Sequence, residues 1–221
     1  MTSTAAELLT ALHEAADPIA HPHPHFHGSG GVLGVRMGDL FRIAEQHAGM
    51  PLSHVYRLLD EPPYEPRMAA FCILDFQVRA PKVTDDERRD RYDLYLARHG
   101  AIDAWDMVDR AAPRVIGGYL RDRPRDVLFE LAASPDPLRR RTAMTAPLFY
   151  TRPRHPEGLV DLFRLAELLL DDRDPLVSKP VGIALKHAGG VDPDGLRAFL
   201  SRNGERMSAA AVRAASSKLP A

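Results

Sequence analysis

The chain has 221 residues, of which 45% are hydrophobic, so it is long enough and apolar enough to bury a core. It contains no run of 18 apolar residues, which excludes a membrane span. Its net charge of -1 argues against a protein that coats nucleic acid by bulk charge alone, although it does not exclude a local basic groove. The first residues lack the basic start and the apolar stretch of a signal peptide, and we therefore expect a cytoplasmic protein.

Almost every segment between turn signals carries apolar residues at helical spacing, whereas period-2 alternation is nearly absent. The sequence therefore predicts an all-α protein. Short connections rich in Pro, Asp and Gly are typical of antiparallel neighbours in a bundle or an α-solenoid. In chain order, the expected helices cover residues 4–15, 37–48, 51–60, 65–79, 84–98, 104–120, 124–133, 136–149, 157–171, 175–188, 193–202 and 208–217.

A loop rich in His, Pro and Gly, residues 17–32, separates the first two predicted helices. Its tract from His21 to His27 has imidazoles at alternate positions. Three interpretations stay open for this tract: a site for Zn²⁺, Ni²⁺ or Cu²⁺, a flexible loop, or a loop ordered on a partner. The glycines of residues 28–34 resemble a phosphate-binding loop only weakly, because they follow no predicted strand. We predict neither a bound metal nor a cofactor for the functional site.

The arginine content and the single cysteine limit the kinds of functional site that this chain can form. The basic side chains are nearly all arginines, since only Lys82, Lys179, Lys186 and Lys218 are lysines. Arginine suits bidentate phosphate contacts and stacking, but a GC-rich coding bias produces the same composition, so both interpretations stay open. The single cysteine, Cys72, permits no internal disulfide, and its apolar neighbours predict a buried thiol without a catalytic role.

An internal repeat favours the solenoid over the bundle. The segment that begins Asp136-Pro137 recurs as one that begins Asp174-Pro175, and residues 65–70 form a degenerate earlier copy. A repeat of about 35 to 45 residues with one helix pair per copy is typical of HEAT-type arrays. An aspartate at the N-cap and a proline at the first helical position suit both helix starts. We therefore predict one HEAT-like repeat domain over residues 1–221.

Cations fall at equivalent places in these copies, namely Arg141 and Lys179, with Arg67 as a third. Equivalent positions in a solenoid stack side by side, so the three side chains are expected to form a ladder on one surface. Such a ladder is either a phosphate track or a set of solvated or salt-bridging side chains. Periodicity alone does not decide between the two.

The only tryptophan, Trp105, lies four residues before Asp109, so the two share one face of a helix. Asp103 is expected to be the N-cap of that helix, and Asp106 lies in its first turn, where a negative charge suits the helix dipole. Asp109 lies beyond that capping range, and we expect it to be partly shielded from water. Pro113 cannot donate to the carbonyl of Asp109, which predicts a kink or a restart there.

An indole beside a carboxylate suits stacking on a base or a cation. The alternative is a core residue at Trp105 and a salt bridge from Asp109 to Arg110, Arg114 or another arginine. Local chemistry alone favours this alternative.

Five segments resemble, in the same order, the AlkD-like DNA alkylation repair glycosylases. The Trp-Asp-x-Val-Asp element and the later Arg-Thr-Ala element are the most specific matches, and the resemblance covers nearly the whole chain. The segments are Val32–Arg36, Glu65–Ala69, Trp105–Asp109, Arg140–Ala143 and Val177–Gly182.

The resemblance implies a curved α-solenoid of HEAT-like antiparallel helix pairs, a monomer, whose concave face holds duplex DNA. It also implies excision of cationic N3- or N7-alkylated purines without extrusion of the base into a pocket. By motif, Asp109 matches the catalytic carboxylate, Trp105 the aromatic that packs on the sugar of the lesion nucleotide, and Arg141 the arginine that holds the DNA backbone. Further DNA contacts are expected from Arg67, Arg140 and Lys179.

Ile183 departs from the family pattern, which has a second tryptophan after the Lys-x-x-Gly element. It would form the wall of the lesion cleft in place of an aromatic, and the lost contact is worth about 1 to 2 kcal/mol. We expect lower activity or altered substrate choice. Two alternatives to a glycosylase therefore stay open: a non-catalytic HEAT-like protein that binds DNA structures, and a HEAT-type protein-interaction scaffold.

Overall fold

The computed structural model describes residues 3–23, 26, 28, 30–151 and 156–219. These residues form helices, turns and loops and include no β-strand; a single antiparallel bridge pairs Ala16 with Val35. The all-α prediction is confirmed. No helix in this part of the chain is long and apolar enough to cross a membrane.

The chain divides into two compact units, the first ending at Val115 and the second beginning at Ile116. The single domain over residues 1–221 stays a prediction. The helices of the first unit are α1 (Ala5–Glu14), α2 (Met37–Gln46), α3 (Leu52–Leu58), α4 (Tyr64–Val78), α5 (Asp85–Ala97) and α6 (Trp105–Ala112), with a 3₁₀ turn at His99–Ala101. A π-helical stretch, Pro113–Gly117, follows α6 directly.

Apart from the short first one, the helices of the second unit begin and end within about two residues of their expected positions, with one exception: the helix expected over residues 136–149 is α-helical only to Thr145 and continues as a 3₁₀ turn. They are α7 (Gly118–Leu120), α8 (Asp126–Ala132), α9 (Pro137–Thr145), α10 (Pro156–Leu169), α11 (Pro175–Gly189), α12 (Pro193–Asn203) and α13 (Ala209–Ser216), with 3₁₀ turns at Ala146–Phe149 and Gly204–Arg206.

Capping explains where several helices begin. Asp136 accepts a 2.8 Å hydrogen bond from the backbone N–H of Leu138 at the start of α9, and Asp174 accepts one of 2.9 Å from Leu176 at the start of α11. A proline occupies the first position of both helices. The predicted repeat of the Asp-Pro helix start is therefore confirmed. Capping boxes begin α1 and α5.

The core of the first unit is built around α4. Every residue of this helix except Phe76 is buried, and α4 packs against α2, α3 and α6. Its start follows two prolines, and a further proline in its first turn is tolerated because those N–H groups need no helical partner. The thiol of Cys72 is buried, as predicted.

In the second unit α11 packs against both α9 and α13. Gly182 permits the close approach of α13, because a Cβ at this position would lie 2.9 Å from the carbonyl oxygen of Ala211 and 3.0 Å from its Cα. The small side chains of α13 complete this contact. The glycine of the Lys-x-x-Gly element is thus required by packing.

The loop before α2 folds back on the first unit. Gly34 has a φ of +83°, and its carbonyl accepts a 2.8 Å hydrogen bond from the N–H of Asp17. In the His-Pro tract, His25 and His27 lie outside the described residues. Among the residues described, no three His, Cys, Asp or Glu side chains are placed to hold a metal ion. The Nε2 atom of His23 lies 2.7 Å from the carbonyl oxygen of Val35.

Candidate functional site

The predicted pair of Trp105 and Asp109 lies on the exposed face of α6. Trp105 is 38% exposed and Asp109 is exposed, whereas Met107, Val108 and Ala111 on the opposite face are buried. Trp105 is therefore not a core residue. The prediction that Asp109 is partly shielded from water was wrong for the chain without a ligand. Asp109 lies on the solvent-facing side of α6, and its short side chain does not reach the buried side.

The predicted N-cap was also wrong. Ala104 is the N-cap of α6, and the Oδ2 atom of Asp103 instead contacts the Nη1 atom of Arg67 at 2.7 Å. The guanidinium of Arg67 is nearly buried, and a buried charge needs an ionic partner more than a helix end needs a side-chain cap.

Arg67 joins the first turn of α4 to the segment that leads into α6. Its Nε and Nη2 atoms donate to the carbonyls of Pro63 and Pro62, at 3.2 and 3.0 Å, and its Nη1 atom donates to the carbonyl of Ala101 at 3.1 Å. With the ion pair to Asp103, this accounts for every nitrogen of the guanidinium. A DNA contact by Arg67 stays a prediction, and the geometry gives the side chain a positioning role.

Tyr64, which the sequence patterns did not single out, makes a second tie between these helices. Its hydroxyl donates a 2.6 Å hydrogen bond to the Oδ2 atom of Asp106, in the first turn of α6. Burial and the negative charge of Asp106 raise the pKa of Tyr64 far above its usual range, so the hydroxyl stays a donor. The rings of His23 and Phe26 lie 5.3 and 5.2 Å from that of Tyr64.

Glu65 fastens the glycine-rich loop to α4. This fully buried carboxylate accepts hydrogen bonds from the backbone N–H groups of Leu33, Gly34 and Val35, at 2.8, 2.7 and 3.3 Å. Three successive N–H groups converge on an anion, as in a phosphate-binding loop, but the anion is a side chain of the protein itself. The loop therefore has a structural role and holds no external anion through these N–H groups.

Asp75, a fully buried carboxylate of α4, contacts three arginines. They are Arg79 at 3.1 Å, Arg110 at 3.0 Å and Arg114 at 3.3 Å. Two of the partners proposed for Asp109 in the packing alternative, Arg110 and Arg114, thus reach the carboxylate of Asp75.

The backbone of α6 changes at Pro113, as predicted. The α-helical part ends at Ala112, and π-helical backbone continues to Gly117. A proline lacks the N–H that an α-helix needs, and a wider turn is one way to accommodate it. Irregular backbone therefore begins one turn after Asp109.

Arg141 and Arg140, on α9 of the second unit, both make contacts within that unit. Arg141 is 6% exposed, and its Nη1 atom donates a 2.9 Å hydrogen bond to the carbonyl of Leu176 at the start of α11. The Nε atom of Arg140 donates to Asp172 at 2.7 Å, and its Nη1 atom donates to the carbonyls of Ser134 and Pro135. These bonds fix both guanidiniums, and their contacts with DNA stay predictions.

The expected ladder of cations has two kinds of member. Arg67 is buried and pairs with Asp103, which fits the salt-bridging alternative. Arg141 is buried and donates to the carbonyl of Leu176, a packing contact that neither interpretation described. Lys179 on α11 is exposed, which fits a phosphate contact. Periodicity does not separate these roles, and the common ladder stays a prediction.

Ile183 lies one turn after Lys179 on α11 and is 43% exposed. Beside it is a hollow of about 180 Å³ between α11 and α13, whose lining is mainly apolar. The hollow is lined by Ser178, Lys179, Ile183, Ser208, Ala210, Ala211 and Ala214. A larger side chain at residue 183 has room there.

A family model for DNA alkylation repair enzymes matches residues 8–219 of the chain. The fold is similar to that of a solved structure described as a predicted DNA alkylation repair enzyme from Enterococcus faecalis, with a TM-score of 0.61 and 13% identity over 99% of both chains. At that identity the similarity shows the fold alone, and it confirms the predicted HEAT-like helical fold. No curated protein sequence matches the chain.

Proposed function

Because the chain belongs to the DNA alkylation repair enzyme family, we propose that it is a DNA glycosylase. It hydrolyses the N-glycosidic bond of cationic N3- or N7-alkylated purines in duplex DNA, and acts as a monomer. The observation that carries the proposal is the exposed pair of Trp105 and Asp109 on α6. Both residues stand where the family motif has them, on a helix whose first turn is tied to the core.

The chemistry needs little more than this pair. An alkylated purine that already carries a positive charge leaves without a general acid, so the enzyme must mainly stabilise the oxocarbenium-like sugar. The carboxylate of Asp109 supplies the negative charge for that sugar and orients the attacking water. The indole of Trp105 packs on the sugar of the lesion nucleotide.

The exposure of Asp109 in the chain without DNA is compatible with this role. A carboxylate surrounded by water stabilises a cation weakly, since water screens the charge. DNA lying on the exposed face of α6 would exclude much of that water and strengthen the attraction between Asp109 and the sugar. We propose that DNA itself completes the low-dielectric site.

Lys179 is the exposed cation among the family positions, and we assign it a phosphate contact. For Arg141 we retain the role of holding the DNA backbone. Its hydrogen bond to Leu176 sets the direction of the guanidinium, and only its small exposed part is available for a phosphate.

Release of base from duplex DNA that contains 7-methylguanine tests the proposal. We expect the wild type to release the base and Asp109→Asn to lose most of that activity, because the amide carries no charge to stabilise the sugar. Asp90→Asn is the matched control, since it removes an exposed aspartate from α5 and should leave the rate unchanged. Equal rates for wild type and Asp109→Asn would remove Asp109 from the mechanism.

A second candidate, a non-catalytic protein that binds DNA structures, is favoured by one observation. Ile183 stands where the family pattern has an aromatic, so the lesion nucleotide would meet one aromatic wall, that of Trp105. Salt-sensitive DNA binding without base release from any N3- or N7-alkylated substrate would support this candidate against the first.

A further inference from the structure

We propose that Arg79, Arg110 and Arg114, assembled on Asp75, form a phosphate-binding site for the DNA backbone beside the nucleotide that meets Trp105 and Asp109. We call these four residues the Asp75 cluster. The inference rests on the proposed function in one respect, namely that DNA lies on the exposed face of α6.

The charges of the Asp75 cluster do not balance. One carboxylate faces three guanidiniums, and each of these contacts it through a single nitrogen, so two positive charges are in excess. The neighbouring thiol of Cys72 adds no negative charge, because burial raises its pKa to about 12. Asp106, which also acts on Cys72, keeps its negative charge when it accepts the hydrogen bond of Tyr64, so one positive charge remains in excess when Asp106 is counted with the cluster. The three arginines therefore outnumber the two carboxylates near them.

The excess charge is accessible and held in place. The side chains of Arg79 and Arg114 are 45% and 44% exposed, although each reaches the buried carboxylate of Asp75. Arg110 is 21% exposed and lies over the rings of Phe41 and Phe76, at 5.0 and 4.7 Å from their centroids. Arginines fixed in this way lose little further freedom when an anion binds, which favours binding.

The site lies on the same helix as the proposed chemistry. Arg110 follows Asp109 directly, and Arg114 lies a further turn along, at the π-helical stretch. Five helical residues rise about 7.5 Å, and successive phosphates of one DNA strand are about 3.4 Å apart along the duplex axis. Five residues also turn about 140° around an α-helix, so Arg114 lies beside the face of Asp109 and not on it. The proposed contact is therefore with a phosphate that flanks the nucleotide at Asp109, at the edge of the exposed face. Guanidinium groups are well suited to phosphate oxygens.

The test uses Arg79→Gln, Arg114→Gln and the double variant, with Arg89→Gln as the control. Arg89 is also an exposed arginine of the first unit, but it pairs with Asp93 on its own helix. Affinity for unmodified duplex DNA is measured over a range of salt concentrations. We expect the double variant to bind about tenfold more weakly at low salt, with a salt slope smaller by about one, while Arg89→Gln matches the wild type.

Each single variant leaves Asp75 with two arginines, so thermal unfolding should show a folded protein; if the double variant unfolds, the single variants decide. Unchanged affinity and slope in the variants, or no DNA affinity in the wild type, would overturn the phosphate site. A wild type that binds DNA but releases no base would overturn the proposed glycosylase and leave this readout intact. The two failures are therefore distinguishable.

Discussion

The hydroxyl of Tyr64 and the carboxylate of Asp106 form a 2.6 Å hydrogen bond that joins the buried helix α4 to the first turn of α6. Asp106 lies directly after Trp105 and three residues before Asp109. Its other oxygen, Oδ1, is buried and has no hydrogen-bond partner within the described part of the chain. Asp106 therefore depends on Tyr64, and the position of the exposed pair depends on both.

Tyr64→Phe should lower both stability and activity. Loss of the hydroxyl leaves Asp106 without its donor, and we expect the free energy of unfolding to fall by about 1 to 3 kcal/mol. The rate of base release should fall at saturating enzyme, because the start of α6 loses a tie. Chemical denaturation and single-turnover kinetics measure the two effects. Tyr56→Phe, at a tyrosine that is 48% exposed, is the control, and equal behaviour of the two variants would refute the positioning role.

Gly34→Ala should destabilise the first unit. The φ of Gly34 is +83°, and a Cβ there would lie 2.3 Å from the Cα of Pro18, so the loop that Glu65 holds must move. We expect the free energy of unfolding to fall by about 2 kcal/mol or more. Gly38→Ala in α2 is the matched control, because a Cβ at this position meets nothing within 4 Å. This substitution should raise the free energy of unfolding by up to about 1 kcal/mol. Thermal melts that rank the two variants in the opposite order would contradict this.

Cys72 should be unreactive in the folded protein. Burial raises its pKa to about 12, so at pH 8 the native thiol is protonated and inaccessible. A thiol reagent should label it only after unfolding, and fast labelling of the native protein would contradict its burial.

The raised pKa of Cys72 also predicts a lower free energy of unfolding at high pH. The unfolded chain loses this proton near the ordinary thiol pKa while the folded chain keeps it, so above about pH 8.5 this group favours unfolding.

Ile183→Trp should raise activity if residue 183 forms a wall of the lesion cleft. The hollow between α11 and α13 has room for a larger side chain, and an added aromatic contact of about 1 to 2 kcal/mol corresponds to roughly a five- to thirtyfold gain. Base release under single-turnover conditions measures it. Leu168→Trp places an indole at another exposed apolar position of the second unit and should give no gain. Equal rates for both variants would place Ile183 outside the cleft.

Helical periodicity and capping chemistry predicted the fold closely, because both act over a few residues. Apolar spacing located the helices, the Asp-Pro starts of α9 and α11 followed from local hydrogen bonding, and Pro113 marked the change of backbone in α6. The cap of α6 failed for the opposite reason. The carboxylate of Asp103 pairs with Arg67, which is far away in the sequence, and capping rules consider only neighbouring residues.

The candidate site was predictable only as far as its helix face. Trp105 and Asp109 share that face by spacing alone, but the tie through Tyr64 and the three arginines on Asp75 join residues far apart in the chain. No spacing rule reports such contacts. The exposure of Asp109 likewise depends on what packs around α6, which periodicity does not specify.

The burial of α4 has a consequence for motion. A helix buried along nearly its whole length can exchange its amide hydrogens only when the unit around it opens, so its amides should be among the slowest of the first unit. At the start of that helix, Tyr64 donates to Asp106 in the first turn of α6, and Arg67 contacts Ala101 and Asp103 in the segment just before α6. The surface that carries Trp105 and Asp109 is therefore attached to the slowest-opening part of its unit, so DNA bound there as proposed would meet a face that is set before binding.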